Sequence, residues 1–264
     1  MMIRRLSLCA ALMAASSPAA AGGYSLALPL HTPPRLRPEA GKSSFALGAG
    51  WASLHGSGLA LSGPGGGWEF ATASPNGLGA ALHSEGYALK GTLDPSGAGR
   101  LNTTGLAGSI EGDFVWSPSG VEGPWRLYLG AQASLSLLNM IGTRSLIVAS
   151  GPHAVEPNGA YSVLVGFPVG ASVGGSLGNV WTGQAGANVA TCVGGVTFYH
   201  YFLRGPHLYG KSQEVTAHAA AGGYVRAEYA PWRISLEAGG SAAARSGNSR
   251  GLASLWTQAA WSLF

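Results

Sequence analysis

The chain predicts an all-β protein: a transmembrane, antiparallel, up-and-down β-barrel of about ten strands, with eight or twelve as the alternatives. Three observations carry that prediction. Apolar and polar residues alternate with a period of two over stretches of about fifteen residues, where about five or six is usual for a soluble strand. Charged residues make up only 10 % of the chain, against a usual ~25 %, and glycine supplies 43 of 264 residues, more than double the usual ~7 %. Beyond the N-terminal region, no apolar run reaches the ~20 residues that a helix needs to cross a bilayer. The best candidate, 161–173, is broken by Ser162, Gly166, Pro168, Gly170 and Ser172. An apolar chain without such a helix has one other way to satisfy its backbone in lipid, a closed barrel.

The first 21 residues read as a secretory signal. Arg4 and Arg5 give a positive start, Leu6 to Ala15 an apolar stretch, and Ala19-Ala20-Ala21 a small-residue cleavage site. Residues 22–43 follow as an extended leader rich in proline, and 44–264 form the barrel. Cleavage leaves Cys192 as the one cysteine, so no internal disulfide is expected. The net charge of +4 is too small and too dispersed for a nucleic-acid surface. No cofactor is expected. The glycines of 63–67 are not followed by the Lys-Ser/Thr and helix of a phosphate cradle.

The strands are expected at 44–55, 59–73, 78–90, 105–117, 124–138, 160–174, 184–202, 214–229, 231–245 and 250–264. The second and third alternate poorly, because Gly63 to Gly67 and Leu78 to Leu82 blur the pattern. In the fourth, Leu106, Ile110, Phe114 and Trp116 oppose Ser109, Glu111, Asp113 and Ser117. In the fifth, Trp125, Leu127, Leu129, Leu135 and Leu137 oppose Arg126, Tyr128, Gln132, Ser134 and Ser136. The sixth sets Val163, Val165, Phe167 and Val169 against Ser162, Gly166 and Gly170. The eighth sets Val225 and Ala227 against Tyr224, Arg226 and Glu228, and the ninth sets Ile234 and Leu236 against Arg233, Ser235 and Glu237. Leu236 is expected on the lipid side near the midplane. A soluble β-sandwich would alternate in the same way, but with shorter strands and more charge.

The connections form two sets. Those at 74–77, 118–123, 175–183 and 230–231 are mostly short. Those at 56–58, 91–104, 139–159, 203–213 and 246–249 include the long ones. Short periplasmic turns opposite longer outer loops are the asymmetry of a bacterial barrel, and an even strand count puts both termini on the periplasmic side. Trp116, Trp125, Tyr229, Trp232 and Trp261 fall on apolar faces beside the short connections or the C-terminus, as an interfacial aromatic girdle would.

The signal sequence, the alternation from Ser44 onward and the terminal aromatic Phe264 together resemble the small bacterial outer-membrane β-barrel proteins as a class. Ser262 departs from the class pattern, in which an aromatic or apolar residue stands two before the end. The resemblance implies outer-membrane lipid and lipopolysaccharide as surroundings. It also implies that the barrel-assembly machinery reads the C-terminal strand through Phe264.

Inward positions gather the chain's sparse charge. Glu111, Asp113, Arg126, Arg226, Glu228, Arg233 and Glu237 form an expected lumen network, with His200 and His218 on the same side. A tight turn pairing Tyr229 with Trp232 would set Glu228 opposite Arg233 and Arg226 diagonal to Glu237. Such pairs fill and stiffen a narrow interior, since buried charges require partners. An enzyme reading, similar to the lipid-A deacylases, rests on His83, Ser84 and Glu85. It suffers because Ser84 and His83 point to opposite faces. Two histidines without a third ligand make a poor metal site. The sequence therefore favours a non-enzymatic envelope or surface protein with at most a narrow conduit, its loop 139–159 the main contact surface. A lipid-modifying enzyme comes second and a secreted sandwich adhesin third.

Overall fold

The computed structural model describes residues 34–56, 59–93, 101–141, 144–148, 151–204, 208–245 and 248–263. The expected signal sequence, most of the leader and Phe264 lie outside the described residues. The described residues form eleven strands: β1 Lys42–Gly56, β2 Leu59–Ala73, β3 Leu78–Leu93, β4 Leu101–Trp116, β5 Trp125–Ile141, β6 Arg144–Val148, β7 Gly151–Ser176, β8 Trp181–Arg204, β9 Leu208–Tyr229, β10 Ile234–Arg245 and β11 Asn248–Ser262. Sequential neighbours pair antiparallel, β5 pairs directly with β7, and β1 pairs with β11. Ten strands thus close a ring, while the short β6 pairs with an extension of β7. One closed sheet replaces the two faces of a sandwich, and within the ring no strand edge is left unpaired.

The distribution of side chains is inverted relative to a water-soluble protein. Leu106, Leu129, Val225, Leu236 and Leu255 are each more than half exposed on the outer surface. Their strand neighbours Glu111, Gln132, Arg226, Glu237 and Gln258 are buried inside. Soluble monomers rarely expose so continuous an apolar surface, and lipid is the solvent that makes it favourable. Leu236 is only the third residue of β10, so it sits near the aromatic end of the barrel and not at its middle.

The strands run further than the alternation does. β7, β8 and β9 have 26, 24 and 22 residues, so much of the connections expected at 139–159 and 203–213 is paired strand. Beyond the bilayer both faces of a strand meet water. The ladder continues there without any need for an apolar side, and the sequence signal fades first.

The last short turn corrects the expected register. Ile234, not Trp232, pairs with Tyr229, so residues 230–233 form a four-residue turn. Arg233 N–H donates to the Ala230 carbonyl at 3.2 Å, and Arg233 takes φ 52°. The central pair Ala230-Pro231 is the cause: the fixed negative φ of Pro231 excludes a type I′ turn, and a type II′ turn would demand a positive φ of Ala230. The shift is by two residues, so the inward set of strand residues is unchanged. Arg226 now lies directly opposite Glu237, and Glu228 lies opposite Ser235.

The glycine run that blurred β2 has a packing reason. A Cβ on Gly65 would collide with the Gly86 carbonyl oxygen and the Tyr87 ring of β3. Replacing Gly65 by valine should therefore weaken the β2–β3 seam by about 1–3 kcal/mol. Urea unfolding in detergent would show this as a lower midpoint. An unchanged midpoint would mean that the two strands can separate without cost.

Candidate functional site

The period of two that turns leucines outward necessarily turns the acids inward. The structure gathers them in the half of the barrel nearest the short turns, around a segment that the alternation does not include. Residues 34–39, without regular structure, enter this end of the lumen. Arg35 is 6 % exposed and stands among three carboxylates from the wall. Its Nε meets Glu69 Oε2 of β2 at 3.2 Å, its Nη2 meets Glu85 Oε1 of β3 at 3.0 Å, and its Nη1 meets Glu237 Oε1 of β10 at 2.5 Å. Nη1 also donates to Gln258 Oε1 of β11 at 3.1 Å, and the guanidinium carbon lies 5.9 Å from the centroid of the Trp256 ring. Burial alone pulls the guanidinium's pKa down, but Glu237, Glu85 and Glu69 hold it well above its ordinary value.

The backbone of the segment is fixed as firmly. The N–H groups of Arg35 and Leu36 both donate to Glu69 Oε1 at 2.8 Å. Arg126 Nη1 donates to the Leu36 carbonyl at 2.5 Å, and Arg37 Nη2 to the Pro124 carbonyl at 2.7 Å. Leu36 packs among Ala46, Ala71, Ala81, Val115 and Tyr128. The gap beside it, lined by Leu36, Pro38, Val115 and Arg126 among others, measures about 10 Å³, roughly the room of a single water.

A second buried group lies beside the first. His83 Nε2 is 3.7 Å from Glu111 Oε2, and His83 Nδ1 is 3.6 Å from Asp113 Oδ2. His83 and Glu111 face each other across β3 and β4, and Glu69 faces His83 across β2 and β3. One ligand atom from each of His83, Glu111 and Asp113 fits within 4.8 Å. This donor set suits a divalent first-row metal, and it equally forms a self-contained triad in which an imidazole bridges two acids. A third pair, Arg226 Nη2 to Glu228 Oε2 at 2.8 Å, lies along the inner side of β9.

The residues expected in the lumen fall as follows. Glu111, Asp113, Arg126, Arg226 and Glu237 are buried, and the Glu228 side chain is 28 % exposed. Arg233 is a correction: it occupies the exposed turn created by Pro231 and takes no part in the interior. The side chains of His200 and His218 lie outside those described. Sequence reasoning missed Arg35 and Glu69 entirely and read Glu85 only as part of a possible catalytic set. Glu69 shares parity with the inward Ala71, but nothing local indicates that a leader arginine will reach it.

Trp116, Trp125 and Trp261 are exposed at the short-turn end, where Tyr229 is half-buried. Trp232 is also exposed there, but in the turn and not on a strand. Trp181, just past the connection 177–180, joins them, its ring 5.1 Å from that of Tyr229, which lies 5.5 Å from Trp232. The hydroxyl of Ser84 donates to the Ser109 carbonyl at 2.9 Å, on the face opposite the inward His83. Those two side chains do not form a nucleophile–base pair.

No protein-family model matches the chain, and no curated protein matches it in sequence. Among solved structures it is similar to the outer membrane protease OmpT from Escherichia coli, with 10 % identity and a TM-score of 0.53 over 83 % of this chain and 94 % of that one. The fold is that of the bacterial outer-membrane β-barrels. Two further structures match this barrel at lower TM-scores. The toluene transporter TbuX of Ralstonia pickettii gives 0.41 at 8 % identity, over 85 % of this chain and 90 % of that one. The attachment invasion locus protein Ail of Yersinia pestis gives 0.37 at 9 % identity, over 85 % and 100 %. At such identities the likeness concerns the fold.

Proposed function

We propose that the chain is an integral protein of the bacterial outer membrane with a non-enzymatic role at the envelope surface, its lumen stoppered by its own leader. The observation that carries this reading is the seating of Arg35 among Glu69, Glu85 and Glu237, which fills the interior where a porin would be open. The short-turn end, with the leader and the end of β11, faces the periplasm. The long strands β7, β8 and β9, with the β6 hairpin, project outward and meet lipopolysaccharide and whatever lies beyond it. The assembly machinery receives the chain through β11 and Phe264.

The separation of Ser84 from His83 speaks against a deacylase, and no catalytic residue is proposed. Refolded protein in a planar bilayer should be silent or pass only a small current, and deleting it should leave the lipid-A mass profile unchanged. A steady porin-sized conductance, or a loss of acyl chains that depends on the protein, would refute this function.

A further inference from the structure

The seat of Arg35 belongs to the barrel wall, not to the leader. Glu69, Glu85, Glu237 and Gln258 sit on four strands whose ladders fix their spacing: Glu237 pairs across from Gln258, and Glu85 across from Gly67. Trp256 offers its ring from β11. None of these positions depends on residues 34–39 for its backbone hydrogen bonds. Three acids converge on the Arg35 guanidinium, so an emptied seat would hold excess negative charge that a cation entering it would neutralise. The acceptors reach Nε, Nη1 and Nη2 separately, which suits a planar fork and not a point charge.

We propose that the barrel wall builds a guanidinium-binding site in the lumen, occupied in cis by Arg35, and that a free guanidinium-bearing solute takes that site when the Arg35 side chain is absent. This rests on the stoppered-lumen reading above and names the chemistry that holds the stopper. The leader acts as a tethered ligand, and the solutes that can stand in for its side chain are those carrying the same fork.

Chemical rescue tests it. Arg35→Ala is refolded in detergent, and its heat-dependent gel mobility is followed with added ethylguanidinium or ethylammonium. Alone, the variant should unfold at a lower temperature than the parent. Ethylguanidinium should restore the transition, ethylammonium should not, and the parent should respond to neither because its seat is filled. In Arg35→Ala/Glu85→Gln the rescue should weaken. If Arg35→Ala does not fold unaided, ethylguanidinium must restore its refolding. Equal responses to the two cations, or no response to ethylguanidinium, would overturn the site. Conductance of the parent protein bears on the proposed function alone, so the two can fail separately.

Discussion

Leu255→Arg should destabilise the inserted barrel by ~2–4 kcal/mol. Leu255 is 62 % exposed on the outer face of β11, six residues along the strand from Trp261. With a rise of ~3.4 Å per residue and a tilt of ~40°, that is about 15 Å above the aromatic girdle, near the middle of the ~25 Å apolar band. Its cross-strand neighbours are Ser53 and Gly240, which offer an arginine neither a carboxylate nor a stem to lie along. An arginine at that depth costs ~2–4 kcal/mol, and near the interface it costs ~0–1 kcal/mol. Leu236→Arg, two residues from the start of β10, should therefore cost much less, because its side chain reaches the headgroups. The gradient is the test. Urea titration of both variants in lipid vesicles should rank them Leu255 well above Leu236. Equal and negligible effects would mean that water, not hydrocarbon, bathes this face.

Arg35→Met should be the most destabilising change in the interior. It keeps most of the side chain's volume and removes the one cation that Glu69, Glu85 and Glu237 share. Breaking a buried ion network from one side costs ~3–5 kcal/mol, because the remaining charges stay buried without their partner. The loss has a structural consequence as well. Glu69 also accepts the backbone N–H groups of residues 35 and 36, so once the guanidinium is gone those two hydrogen bonds are what still ties the segment to Glu69. Glu85→Gln should be milder, since two acids still face the arginine. Equilibrium unfolding in detergent, with protease access to the leader as a second readout, checks both. A stability for Arg35→Met within about 0.5 kcal/mol of the parent would show that the acids do not depend on Arg35.

Most of the barrel was legible because lipid imposes a local rule. Leu127 and Arg126, or Val225 and Arg226, are sorted by parity alone, and parity survives errors in register. That is why the two-residue shift at Pro231 moved Arg233 out of the interior yet left Glu237 and Arg226 facing it. Where the rule lapses, so did the reading. In the outer halves of β7, β8 and β9 the sequence alternation weakens, and the strands are held there by pairing with their neighbours. The turn at 230–233 was misread for another reason, since proline chemistry overrode the shortest possible hairpin.

The sequence by itself determined which residues meet hydrocarbon, and with that the fold class, because side-chain alternation is a property of neighbours along one strand. Only the tertiary structure decided what the inward charges do. Arg35 meets acids that lie 34, 50 and 202 residues away in sequence, and they converge on it because β1 closes against β11. No periodicity records that closure. It follows from the backbone's need to leave no strand edge unpaired in lipid, and the interior this creates is one that a stretch of leader without regular structure then fills.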